Sequence, residues 1–113
     1  MNLIEHFIDG KITKGSSKKI SKVFNPSIGE QSAEVNLASK ADVDLAVQKA
    51  KQAFTDWSRK PPAQRARIIF KFKELIEKKS DEITKLIVSE HGKVYEDAKG
   101  SLTRGLEVVE FAC

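Results

Sequence analysis

Three features of the 113-residue sequence predict an α/β fold. Strand-like alternation, broken by turn pairs, fills the chain up to Ala38 and then stops. From Ser39 onward, apolar residues recur at spacings of three and four through about four successive stretches, the period of amphipathic helices. The last stretch, VYEDAKGSLTRGLEVVEFAC from Val94 to Cys113, shows neither the Gly or Asn nor the trailing Pro that would give its final carbonyls partners. The expectation is an N-terminal part of a longer protein, residues 1–113 being one incomplete domain.

Taken in order, His6 to Asp9 and Lys11 to Thr13 form a hairpin about Asp9-Gly10, a pair that adopts positive backbone torsions at little steric cost. Lys19 to Phe24 alternates until Asn25-Pro26 breaks it, and NPSIGE is a turn in which Pro26 and Gly29 each set a torsion. Gln31 to Leu37 alternates around Ala33, Val35 and Leu37. These segments predict a small antiparallel β unit, too slight to stand alone.

Ser39 is placed to cap the first helix, with Asp42 at the acid position of a capping box. Val43, Ala46, Val47, Ala50, Phe54 and Trp57 share its apolar stripe. Ser58 to Pro62 ends it, and Pro61 or Pro62 suits the first turn of a second helix because no amide donor is needed there. That helix runs to about Lys79 on Ile68, Ile69, Phe72, Leu75 and Ile76, with Phe70 off the stripe. Ser80 is read as the cap of a third helix, with Ile83, Leu86 and Ile87 inside and Gly92 as its C-terminal cap. The fourth helix presents Ala98, Leu102, Leu106, Val109 and Cys113, with Gly105 and Ala112 on the same face.

A content of 40% hydrophobic and 32% charged residues is that of a globular chain and excludes a disordered one. The formal net charge of +4 compels neither a nucleic-acid nor a membrane partner, and none is expected. Lys11, Lys14, Lys18, Lys19 and Lys22 read as a charge-guarded hairpin or edge strand, with phosphate binding as the alternative. A lone cysteine excludes an internal disulfide framework and fits a reducing, cytoplasmic compartment. The opening MNLIEHFIDG has two acids and no arginine, unlike a signal peptide or presequence.

Few residues carry chemistry. A nucleophilic Cys113 would need a base or a positive field, which Phe111 and Ala112 do not supply, so it reads as a structural cysteine. His6 and His91 lack partners at ligand spacing, and no metal site is expected. Gly92, Gly100 and Gly105 make no dinucleotide fingerprint. Arg104 stands out because Gly100 and Gly105 flank it in a helix where each glycine costs about 1 kcal/mol against alanine. Either another backbone packs closely there, or room is left beside the guanidinium for a ligand. The plainer alternative is a surface ion pair with Glu107.

Five motifs, FIDGK (Phe7 to Lys11), FNPSIGE (Phe24 to Glu30), AVQKAKQAFTDW (Ala46 to Trp57), RARIIFKF (Arg65 to Phe72) and EHGKVYEDAKG (Glu90 to Gly100), occur in one order. Together they resemble the N-terminus of the aldehyde dehydrogenases over nearly the whole chain. TRGLEVVEFAC, from Thr103 to Cys113, is similar to the branch of CoA-acylating methylmalonate-semialdehyde dehydrogenases.

The resemblance implies an aldehyde dehydrogenase-like α/β fold, of which this chain covers the N-terminal β hairpins and about four helices of the coenzyme-binding domain. It implies an NAD-dependent enzyme that oxidises methylmalonate or malonate semialdehyde to propionyl-CoA or acetyl-CoA with loss of carbon dioxide. Coenzyme A is the co-substrate and the whole enzyme a homo-oligomer, a tetramer. The family's nucleophile lies in a GQRC-type motif that this chain lacks. Cys113 matches a different position, so no catalytic or cofactor-binding residue is assigned here. Arg104 matches the arginine of the branch's R-G pair, implied to hold the substrate carboxylate. Where the branch commonly has an acid two residues before Thr103, this chain has Ser101. Two other functions stay open: another NAD(P)-dependent aldehyde dehydrogenase, and a free-standing helical adaptor for an acidic partner.

Overall fold

The computed structural model describes residues 2–113. Its contacts divide the chain into two compact units. One holds the residues up to Phe24 with Gly29–Arg59, and the other Asn25–Ile28 with Lys60–Cys113.

The first unit contains β1 (Asn2–Ile4), β2 (His6–Ile8), β3 (Lys11–Thr13), β4 (Ile20–Phe24), β5 (Gln31–Asn36) and α1 (Lys40–Arg59). The β2–β3 hairpin turns at Asp9 and Gly10, whose φ values are 56° and 71°, and pairs His6 with Thr13. It stands as a separate two-stranded sheet. The other sheet has the order β1-β5-β4. β4 and β5 are antiparallel, with a bulge at Val23 and Phe24 where the Ser32 hydroxyl donates to the Val23 carbonyl at 3.2 Å. β1 runs parallel to β5, Leu3 facing Glu34. The wholly antiparallel unit expected from the sequence is thereby corrected: β1 is an added strand, too short to show alternation, and its direction is set by its long-range partner. Ala33 and Asn36 on the central strand are buried. β4 is an edge, and the five lysines of this region are all exposed.

α1 begins as its capping box requires. The Asp42 amide donates to Ser39 Oγ at 3.1 Å, and the Ser39 amide donates back to Asp42 Oδ2 at 2.8 Å. Its apolar stripe is largely open, with Val47 61% and Phe54 62% exposed. At the N-terminal half of that stripe, Ala46, Lys49, Ala50 and Ala53 face Phe7 to Gly10 across a cavity of about 400 Å³. Lys49 Nζ reaches Asp9 Oδ2 at 3.3 Å.

The second unit contains α2 (Pro62–Lys78), α3 (Ser80–His91) and α4 (Tyr95–Phe111). Pro62 opens α2 at a position that needs no donor. Ser80 does not cap α3, contrary to expectation. Lys79 is at once the C-cap of α2 and the N-cap of α3, so Ser80 is already helical and its carbonyl accepts from Thr84 Oγ1 at 2.7 Å. Gly92 ends α3 in the left-handed region, φ 78°, its amide donating to the Val88 carbonyl at 2.9 Å. The turn at Asn25–Ile28 lies against this cap: a Cβ on Gly92 would come within 3.2 Å of Pro26 Cγ.

α4 packs mainly on α3, and on α2 to a lesser extent. Thr84 and Ala98, both 0% exposed, lie on the two helices that make the larger contact. Leu102, Leu106, Val109 and Cys113 follow on the half-buried face of α4, as expected, whereas Gly105 and Ala112 are exposed. Leu86, expected inside, is 55% exposed because Thr84 and Ile87 occupy the inner side of α3.

Candidate functional site

Two clusters of polar side chains are built by the chain. The first closes the N-terminus of α1. Asp42, 6% exposed, accepts from the Ser16 amide at 2.7 Å, and from the Ser39 amide at 2.8 Å and hydroxyl at 2.7 Å. Ser16 and Ser39 hydroxyls meet at 2.7 Å. The Ser39 backbone and hydroxyl bonds, followed by those of Ser16, hold the Asp42 carboxyl well below the usual carboxylate range against the opposing effect of burial.

Gly15, φ 72°, lets the loop come down on this cluster, since a Cβ there would lie 2.9 Å from His6 Cδ2 and 3.0 Å from Asp42 Oδ2. A helix N-terminus after a β-strand is where a dinucleotide pyrophosphate can bind. Here Asp42 sets a negative charge of its own at the start of α1, accepting from the Ser39 and Ser16 amides. The residues present do not fit the NAD pyrophosphate, and none of them is assigned to it.

The second cluster lies on the N-terminal half of α4. Glu96 and Asp97 in its first turn favour the positive end of the helix, and Val94 caps it without a side-chain bond. Ser101 donates back to the Asp97 carbonyl at 3.2 Å, a bond that leaves its oxygen free to accept. Two cations use it: Lys93 Nζ at 2.9 Å and Arg104 Nη2 at 3.2 Å.

Arg104 is exposed, and its partner is Ser101, one turn back, rather than Glu107, one turn on. A Cβ on Gly100 would lie 3.6 Å from Arg104 Nη1, and one on Gly105 would meet nothing within 4 Å. Neither glycine is therefore overlain by a second backbone among the described residues. Open room lies at Gly105, while the Arg104 guanidinium itself comes over Gly100. Lys93 and Ser101 were not singled out as functional from the sequence. The intervals of four and three from Asp97 through Ser101 to Arg104 follow one face of α4, a spacing that could have found Ser101, whereas Lys93 reaches it from the segment before the helix.

Elsewhere the second unit is tied together by ion pairs. Tyr95 Oη donates to Asp81 Oδ1 at 2.8 Å, while Lys85 Nζ sits 2.7 Å from Asp81 Oδ2. Lys85 and then Tyr95 lower the Asp81 pKa, and the bond to Asp81 raises that of Tyr95. Lys73 bridges Glu77 at 2.8 Å and Glu110 at 3.0 Å, which raises its own pKa. Cys113, just past the end of α4, is half-buried and donates its thiol to the Val109 carbonyl in the last turn at 3.4 Å. Among the described residues no helix is long and apolar enough to cross a membrane.

The model of the aldehyde dehydrogenase family matches residues 12–113. A malonate-semialdehyde dehydrogenase of Bacillus pumilus is 42% identical over 112 residues, covering 99% of this chain and 23% of that protein. The crystal structure of a methylmalonate-semialdehyde dehydrogenase from Oceanimonas doudoroffii is 45% identical with a TM-score of 0.95, covering 100% of this chain and 23% of that one. The NAD complex of a Sinorhizobium meliloti protein assigned as a methylmalonate-semialdehyde dehydrogenase is 45% identical with a TM-score of 0.94, covering 98% of this chain and 23% of that one. The chain thus spans about a quarter of the length of the relatives it matches.

Proposed function

Because this chain belongs to the aldehyde dehydrogenase family, we propose that it is the N-terminal part of the coenzyme-binding domain of an NAD-dependent, CoA-acylating malonate- or methylmalonate-semialdehyde dehydrogenase. The whole enzyme is a cytoplasmic tetramer that turns the semialdehyde into acetyl-CoA or propionyl-CoA and carbon dioxide. The nucleophile, the NAD site and the CoA site belong to polypeptide other than these residues. This chain contributes the recognition of charge: Arg104 holds the carboxylate that separates these semialdehydes from neutral aldehydes. A planar guanidinium offers that group two parallel donors, which an ammonium cannot.

One observation carries the proposal: an exposed arginine on α4, within a chain whose whole length resembles semialdehyde dehydrogenases in sequence and fold. The helical-adaptor alternative has no comparable support. Joining residues 1–113 to the remainder of the Oceanimonas doudoroffii relative tests the proposal. The hybrid should assemble and reduce NAD with malonate semialdehyde in preference to propanal. A hybrid that assembles and oxidises only neutral aldehydes would place the chain in another branch, and one that fails to assemble would contradict its placement as this part of the domain.

A further inference from the structure

Lys40, Lys71, Lys73, Lys79 and Lys85 each pair with an acid three or four residues away. Arg65 on α2 has no such choice. The positions three and four removed from it are Pro61, Pro62, Ile68 and Ile69, so no local acid can serve it. Its place in the helix nonetheless draws it inward: Arg65, Ile69, Lys73 and Ile76 belong to the half-buried stripe of α2, at spacings of four, four and three. On that stripe Lys73 reaches beyond its own helix to Glu110 of α4 at 3.0 Å. Arg65 lies two turns nearer the start of α2. Among the described residues it has no carboxylate within ion-pair distance, and its Nε is buried without a hydrogen-bond partner. Solvent serves an exposed cation, but it does not reach this nitrogen, whose N–H has to donate.

We infer that Arg65 is a docking point for a carboxylate carried by polypeptide of the same enzyme outside these residues. The inference rests on the reading of the chain as about a quarter of a semialdehyde dehydrogenase, and adds to it a residue by which α2 holds the remainder. Arginine suits the role because Nε–H and one Nη–H are parallel donors that match the two oxygens of a carboxylate. Ile68, Phe72 and Leu75 form an adjoining stripe and are each about half exposed, so an incoming segment has apolar surface to cover around the pair. Covering it excludes water, which strengthens the attraction.

Removing the guanidinium should then act with opposite sign in two settings. The first is the 113-residue chain alone, unfolded in urea and followed by helical circular dichroism. There Arg65→Met takes away an orphaned donor and keeps an apolar stem, so the midpoint should stay or rise. The second is the hybrid with the Oceanimonas doudoroffii remainder, heated and assayed on whichever aldehyde the wild-type hybrid oxidises. There the substitution leaves the incoming carboxylate unpaired, and the half-life at a fixed temperature should shorten about tenfold or more. Arg65→Lys should recover part of that loss because the charge is kept, whereas Arg65→Gln should recover none.

A wild-type hybrid that does not assemble would overturn the underlying reading and the inference with it. An assembled hybrid whose half-life is the same with Arg65→Met as with Arg65 would overturn the inference alone. Destabilisation of the isolated chain as large as that of the hybrid would put the partner within these residues or on a second copy, and Gln serving as well as Lys would mean that the partner is not a carboxylate; either result contradicts the inference. The hybrid comparisons decide the matter even if the isolated chain does not unfold cooperatively.

Discussion

Gly15→Ala probes the contact that fastens the Lys14-to-Lys19 loop to the start of α1. Two costs arise. The backbone sits at φ 72°, where a residue with a Cβ loses about 1–2 kcal/mol relative to glycine. The new methyl would also lie 2.9 Å from His6 Cδ2 and 3.1 Å from Asp42 Cγ. Asp42 cannot yield easily, because its carboxylate holds the Ser16 and Ser39 donors at 2.7–2.8 Å. Such overpacking adds about 1–3 kcal/mol, so the two together make roughly 2–5 kcal/mol.

Gly10 and Gly29 are internal standards: both have φ of 71° and nothing within 4 Å of an added Cβ, so alanine there carries the backbone cost alone. The assay is urea unfolding followed by the fluorescence of Trp57, the single tryptophan, which lies on α1 in the same unit. Gly15→Ala should be less stable than Gly29→Ala by about 1–3 kcal/mol. Equal losses at Gly10, Gly15 and Gly29 would refute the packing of the loop on Asp42.

The depressed Asp42 carboxyl fixes a pH dependence. Its stabilisation is complete above the unfolded carboxylate range, about pH 4, and is withdrawn as the pH falls below it toward the folded value. Unfolding between pH 2 and 6 should therefore show a shallower acid limb for Asp42→Asn than for wild type, whereas parallel curves would contradict the assignment. Ala98, 0% exposed on the helix that packs against α3, should not admit a larger residue: Ala98→Leu is expected to cost about 1–3 kcal/mol by chemical denaturation, and a neutral result would mean the helices are not in contact there. The purified chain alone should not reduce NAD with malonate semialdehyde, since it lacks the GQRC-type motif that carries the family's nucleophile; measurable turnover would overturn this.

Local chemistry made much of this fold legible. Asp9-Gly10, the Ser39 and Asp42 pair, Pro62 and Gly92 each impose a backbone requirement that few other residues meet, so turn, cap, helix start and helix end could be placed from sequence. β1 could not, because three residues carry no period and their parallel pairing depends on β5, about thirty positions on. Ser80 misled for a related reason: a good capping residue does not cap when the preceding helix runs to within one residue of it.

At α4 the sequence identified Arg104 but could not choose its partner. Ser101 at i−3 and Glu107 at i+3 are equally reachable, and only the rotamer in the fold decides between them. The convergence of Lys93 on the same hydroxyl was missed because Lys93 lies before the helix cap, where helical spacing is not ordinarily counted. The fit of Gly15 against His6 and Asp42 joins three distant segments and has no local signature.

The reading proposed above gives Arg104 the substrate carboxylate of a semialdehyde dehydrogenase. The most direct measurement is kcat/KM for malonate semialdehyde and for propanal, at saturating NAD, in the hybrid enzyme with Arg104 intact and with Arg104→Ala. Loss of a charge-assisted contact of roughly 1.5–3 kcal/mol should lower the semialdehyde value about ten- to a hundredfold and leave the propanal value nearly unchanged. Proportional loss on both substrates would mean that Arg104 acts through the folding or placement of α4, and no change on either would mean that its bond to Ser101 is a surface contact without a role in recognition.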